Sequence, residues 1–157
     1  MKRGVYFIGL LISMLLILVL AVPALAQGEF TMEIKPLSPD PAPLNVKSKG
    51  VLPIAILGSA SGNVTQIIPA TAELEIDASP GVLVAPIRSS IEDVNGDGYL
   101  DLCLKYKTEK VVSFFDLSDK TLYPDGSIVQ LKINADLSGG GTVPLADTIR
   151  ILNKGKK

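Results

Sequence analysis

The chain has 157 residues, with 15 Lys and Arg against 16 Asp and Glu, no histidine, no tryptophan and a single cysteine. The absence of histidine removes Ser-His-Asp and Cys-His catalysis and every histidine-ligated zinc site, and one cysteine permits no disulfide within the chain. No basic stripe is present to track phosphates, so nucleic acid is not an expected partner.

Lys2 and Arg3 precede an apolar run from Val5 to Val22, followed by Pro23 and the small-residue site Ala24, Leu25, Ala26. That order is the signature of a secretory signal peptide over 1–26, cleaved after Ala26. A second reading stays open, because the run nearly spans a bilayer and an uncleaved helix would tether the chain to the membrane as an accessory subunit. Loss of Lys2 and Arg3 lowers the basic residues from 15 to 13 against 16 acids, for a net charge of about −3. Residues 27–152 are sized for one domain, and the closing 153–157, Asn-Lys-Gly-Lys-Lys, reads as a disordered basic tail.

Beyond the leader the dominant period is two. Phe30, Met32 and Ile34 alternate with Thr31, Glu33 and Lys35 as a half-buried strand that Pro36 ends. Ser38 to Pro43 is a proline-rich extended connection, and Asn45 to Gly50 is turn-like. Val51 to Gly58 reads as a strand apolar on both faces, which Pro53 places near a sheet edge. Ala72, Leu74 and Ile76 alternate with Glu73, Glu75 and Asp77, and Ser79, Pro80 and Gly81 then turn the chain. A short apolar run, Val82 to Ile87, leads toward an acidic loop. After that loop Leu100, Leu102, Leu104 and Tyr106 form one face of a strand, opposite Asp101, Cys103, Lys105 and Lys107. Val111 to Phe115 fits either a strand or one turn of helix. Tyr123 to Gly126 is a turn, Val129, Leu131, Ile133 and Ala135 mark the clearest strand, Gly139 to Gly141 a flexible loop, and Thr148 to Leu152 a last strand. About seven short strands with Gly- and Pro-rich connections predict an all-β fold, an antiparallel β-sandwich preceded by the signal helix.

The acidic loop carries the chemistry. In Asp-Val-Asn-Gly-Asp-Gly-Tyr-Leu-Asp, residues Asp93, Asn95, Asp97 and Asp101 occupy positions 1, 3, 5 and 9, with the Tyr99 carbonyl at 7 and Gly96 and Gly98 allowing a sharp turn. Oxygen donors at this spacing predict a Ca²⁺ site. An EF-hand requires an acid at position 12, where this chain has Leu104, so the loop belongs instead to the type that closes on an aspartate and enters a strand. The competing reading is an Asp/Gly-rich turn that binds no ion. Asp101 faces away from the leucines, which couples the ion to strand register. A single copy of the loop argues against a propeller.

Four pieces, MEIKP (32–36), NVKSKGVLPIAILG (45–58), EDVNGDGYLDLCLKY (92–106) and DTIRIL (147–152), resemble in order a family of secreted bacterial and archaeal β-sandwich modules with no settled activity. The resemblance implies export and a structural or binding role, and it supplies no substrate. The family has glycine after the proline of its first motif, where this chain has Leu37, and it differs again over Ala42 to Leu44.

Glu73, Glu75 and Asp77 project from one strand face and are the only arrangement that suggests a carboxylate-based glycan hydrolase; a solvated face is the simpler account. Tyr99, Tyr106 and Tyr123 are the aromatics available to a sugar, with Tyr106 assigned to the core. Cys103 is either packed or free to form a dimer disulfide. The sequence thus predicts a non-enzymatic, calcium-stabilised module, secreted or at the cell surface or in the periplasm, whose further partner would be a cell-surface protein or a polysaccharide.

Overall fold

The computed structural model describes residues 30–153; the predicted signal peptide and all but Asn153 of the predicted tail lie outside the described residues. The described residues form eight strands in two four-stranded sheets. In the first sheet the order is β1 (Thr31–Ile34), β3 (Val51–Leu57), β6 (Asp101–Lys107) and β5 (Arg88–Glu92), with every pair antiparallel. In the second it is β2 (Ala42–Asn45), β8 (Thr142–Leu152), β7 (Ile128–Asp136) and β4 (Leu74–Glu75), where β2 runs parallel to β8. The all-β expectation is therefore met, with one strand more than expected and with one parallel pair in place of a purely antiparallel arrangement.

Alternation builds the core. Leu52, Ile54 and Ile56 of β3 and Leu102, Leu104 and Tyr106 of β6 join Leu131 and Ile133 of β7 and Ile149 and Ile151 of β8 in one buried cluster. The Tyr106 hydroxyl, buried among them, donates to the Ala72 carbonyl at 2.6 Å, which satisfies the polar end of an otherwise apolar anchor. Leu100 does not continue the leucine face: it precedes β6 and is half exposed.

Pro53 is not near an edge, since β3 lies between β1 and β6. The reason is directional. Its carbonyl accepts the Lys35 N–H at 2.8 Å, so its nitrogen, which points the same way in a pleated strand, faces the end of β1 and takes no bond from β6. The chain leaves β1 there through Lys35 and Leu37, both in the left-handed region at φ 51° and 67°. The proline-rich connection ends in β2, in which Ala42 and Leu44 face inward and Pro43 is tolerated because the strand is at the sheet edge.

Val111 to Phe115 resolves as helix. In α1 (Thr108–Phe114) and its cap, Val111, Val112 and Phe115 fall on one buried face while Ser113 and Phe114 face out. The apolar run Val82–Ile87 forms no strand of its own; Val84 makes a single bridge to Leu74, and the strand proper follows as the polar β5.

Candidate functional site

The acidic loop joins β5 to β6: Glu92 ends one strand and Asp101 begins the next, directly opposite it in the pairing. Gly96 and Gly98 adopt φ of 76° and 88°, which turns the chain within a few residues at no steric cost. The first part of the loop is organised by its own side chains. Asp93 accepts the Gly96 N–H through Oδ1 at 2.7 Å and the Gly98 N–H through Oδ2 at 3.0 Å. Asn95 Oδ1 accepts the Asp97 N–H at 3.0 Å, and its amide donates to Asp97 Oδ2 at 2.9 Å. Asp97 Oδ1 in turn accepts the N–H of Tyr99, a residue 44% exposed.

Asp101 sits apart from this group and does something different. It is fully buried, and its carboxylate accepts the Gly58 N–H through Oδ1 and the Val94 N–H through Oδ2, each at 2.9 Å. One side chain thus pins the start of the loop, the start of β6 and the residue after β3. The fit at Gly58 is close: a Cβ there would lie 2.2 Å from the Leu100 carbonyl oxygen, so no side chain is possible without moving the loop. Sequence reasoning singled out Asp101 as an ion ligand, not as a backbone acceptor, and missed Gly58, whose only signal was a glycine closing an apolar strand.

Of the predicted ligands, the structure brings Asp93, Asn95 and Asp97 into one hydrogen-bonded loop and holds Asp101 behind it. Among the described residues no three acidic or cysteine side chains are gathered closely enough to hold a metal ion. The donor chemistry nevertheless suits a hard cation, because every candidate atom is oxygen and each carboxylate oxygen that accepts one N–H keeps a second lone pair.

Two clefts flank the loop. One of about 360 Å³ lies beside Asn95, bordered by Glu33, Lys35, Asp40 and Asp147. Burial lowers the pKa of Lys35, whose ammonium is held by the Pro43 carbonyl. Asp147 is committed to structure there, accepting the Ile34 and Thr148 N–H groups, each at 2.7 Å. The other cleft, of about 280 Å³, lies on the outer face of the first sheet and contains Leu37, Pro53, Glu92, Val94, Cys103 and Lys105. Cys103 is buried there as a free thiol. Burial first, and then the hydrogen bond that the thiol donates to Glu92 and the negative charge of that carboxylate, push its pKa up to about 11.

The remaining acids are spread out. Asp77 pairs with Lys132, and Glu75 accepts from the Asn134 amide at 2.9 Å, so both are engaged across the β4–β7 pair. Set against known proteins, the chain matches no family model, and no curated protein is similar to it at a significant level.

Proposed function

We propose that this chain is an exported, non-enzymatic structural or binding module whose fold is stabilised by Ca²⁺ at the Asp93–Asp101 loop, acting at the cell surface, in the periplasm or outside the cell. The observation that carries the reading is the placement of the oxygen-rich loop. Asp101 links it to the backbone of Gly58 at the end of β3, so whatever orders the loop also orders the two central strands of the first sheet. In this reading Asp93, Asn95, Asp97 and Asp101 hold the ion through side-chain oxygens and Tyr99 through its carbonyl. The ion supplies folding free energy and no reaction step.

The compartment follows from affinity. Extracellular modules bind Ca²⁺ with Kd of about 10⁻⁴ to 10⁻³ M, which leaves such a site empty in the cytosol and filled outside. The leader-like N-terminal run and the resemblance to secreted modules support the same destination. At Ca²⁺ a hundredfold above Kd, an ion that binds only the native loop contributes about 2.7 kcal/mol, a rise on the order of 10 °C in midpoint for a domain of this size.

The test is thermal unfolding of the chain, expressed at full length and processed by its host, in excess EDTA and in millimolar Ca²⁺, beside Asp97→Ala. A calcium-dependent rise that the variant lacks supports the reading, and superimposable curves sink it. The length of the Val5–Val22 run favours one second reading, a membrane-tethered accessory subunit. N-terminal sequencing separates the two, since a chain beginning at Gln27 has lost the tether.

A further inference from the structure

The four edge strands are not equally protected. On β1 the Ile34 N–H is taken by Asp147, β2 carries Pro43, and the two-residue β4 is covered by Val84, which exchanges both backbone bonds with Leu74 at 2.9 and 3.0 Å. β5, Arg-Ser-Ser-Ile-Glu, has five residues, every one exposed, and among the described residues it has neither a proline nor a covering segment. Open edges of this kind are templates for another strand.

The register shows which groups are free. Pro53 directs its backbone at β1, so by alternation its partner Lys105, with Cys103 and Asp101, directs its own at β5. Their partners Arg88, Ser90 and Glu92 therefore bond to β6, and the N–H and C=O groups of Ser89 and Ile91 point away from the sheet. The side chains sort the same way. Arg88, Ser90 and Glu92 share the outer face, while Ile91 lies opposite Leu102 on the core-side face and stays about half exposed at its rim.

We infer that the free edge of β5 is a self-association surface on which two copies of this chain pair antiparallel about a two-fold axis at Ser90, joining their first sheets edge to edge. The sequence of the strand is self-complementary in that register. Ser89 of one copy faces Ile91 of the other, and these are the residues with outward backbone groups, so each such pair exchanges two bonds. On the outer face Arg88 stands against Glu92 of the second copy, twice by symmetry, while Ser90 meets Ser90. On the core-side face Ile91 lies diagonally beside Ile91 of the second copy, which covers the exposed rim. A shift of two residues in either direction sets Arg88 or Glu92 opposite Ser90 and loses both charge pairs, so the charges select this register. The ion at the neighbouring loop plays no part in the argument.

Sedimentation velocity of the host-processed full-length chain over a wide concentration range tests this. The unaltered chain is expected to be a reversible dimer. Arg88→Glu and Glu92→Arg each place two like-charged pairs across the axis and weaken the dimer at least about tenfold, whereas an equimolar mixture of the two restores it, because each acidic edge then meets a basic one. Ser89→Pro removes an outward N–H, leaves the bonds to β6 in place, and abolishes association. It also serves if a charge variant fails to fold, which far-UV circular dichroism reports. A chain that is monomeric throughout, single charge variants that dimerise as tightly as the unaltered chain, a mixture that stays monomeric, or a folded Ser89→Pro chain that still dimerises would each overturn the inference.

Discussion

Replacement of Asp101 separates the structural role of the acidic loop from its proposed ion chemistry. The carboxylate is fully buried and accepts two backbone N–H groups, one at the buried Gly58 and one at the half-buried Val94. In Asp101→Ala both donors lose their acceptor. An unsatisfied buried donor costs about 1–3 kcal/mol, and the partly exposed Val94 amide recovers some hydration, so the loss is about 2–5 kcal/mol. In Asp101→Asn the amide oxygen still accepts one bond, but its NH₂ confronts the other donor, and the loss falls to about 1–3 kcal/mol. Asp97→Ala, on the exposed part of the loop, forfeits only the Tyr99 and Asn95 contacts and costs less than about 1 kcal/mol without ion. Urea unfolding in EDTA reads all three, and repetition in Ca²⁺ tests the proposed linkage, which is expected to raise the unaltered chain and not Asp97→Ala. The expected order of destabilisation in EDTA is Asp101→Ala, then Asp101→Asn, then Asp97→Ala. Asp101→Ala within about 0.5 kcal/mol of the unaltered chain would refute the reasoning, because those amides would then not depend on this carboxylate.

Leu37 is 83% exposed at φ 67°, so Leu37→Gly relieves left-handed strain of about 1–2 kcal/mol against a backbone-entropy cost of about 0.5–1 kcal/mol. A net gain of roughly 0.5–1 kcal/mol is expected in urea melts, and a lower midpoint contradicts the strain assignment. Gly58→Ala sets a methyl 2.2 Å from the Leu100 carbonyl oxygen and should cost about 2–4 kcal/mol, with hydrogen exchange rising across Val94 to Asp101; a neutral outcome means that the loop yields freely. Cys103 should resist thiol reagents at pH 8 in the native state, and Glu92→Gln, by removing a nearby negative charge, should speed its labelling. Because the folded thiol titrates at about 11 against 9.0 for an ordinary one, the unfolded chain loses this proton first; the stability contribution is complete below pH 9 and declines as pH rises toward 11. Flat stability across that window, with fast native labelling at pH 8, would contradict the buried placement.

The legible parts of the fold are the strands in which one face is core and the other solvent. β1 and β7 show their period in Met32 and Ile34 and in Leu131 and Ile133, because burial on one face leaves alternation in the sequence, whereas in the central β3 and β6 the outer-face residues Ala55, Asp101 and Cys103 are buried as well. β5 left no such mark. With both faces exposed, Arg88 to Glu92 satisfies no hydrophobic pattern and exists as a strand only because β6 offers it a ladder. β8 is longer than its apolar residues indicated for a related reason: Val143, Leu145, Ile149 and Ile151 keep one parity, but the inward position between them is Asp147. Its carboxylate reaches across to the Ile34 N–H of the other sheet, so a polar residue sits where the pattern demands an apolar one.

The acidic loop divides along the same line. Its local turn was readable from Asp93, Asn95, Asp97 and the two glycines, since those bonds span five residues or fewer. The Asp101–Gly58 bond spans 43 residues and depends on β3 and β6 being neighbours, which no local pattern encodes. That bond also gives the loop its leverage on the fold. A turn held only by its own side chains can open without consequence for the sheets, but one whose last residue also holds the end of β3 must disturb the sheet when it opens. Order in residues 93–101 is therefore thermodynamically tied to the centre of the first sheet through Asp101 and Gly58, with or without an ion.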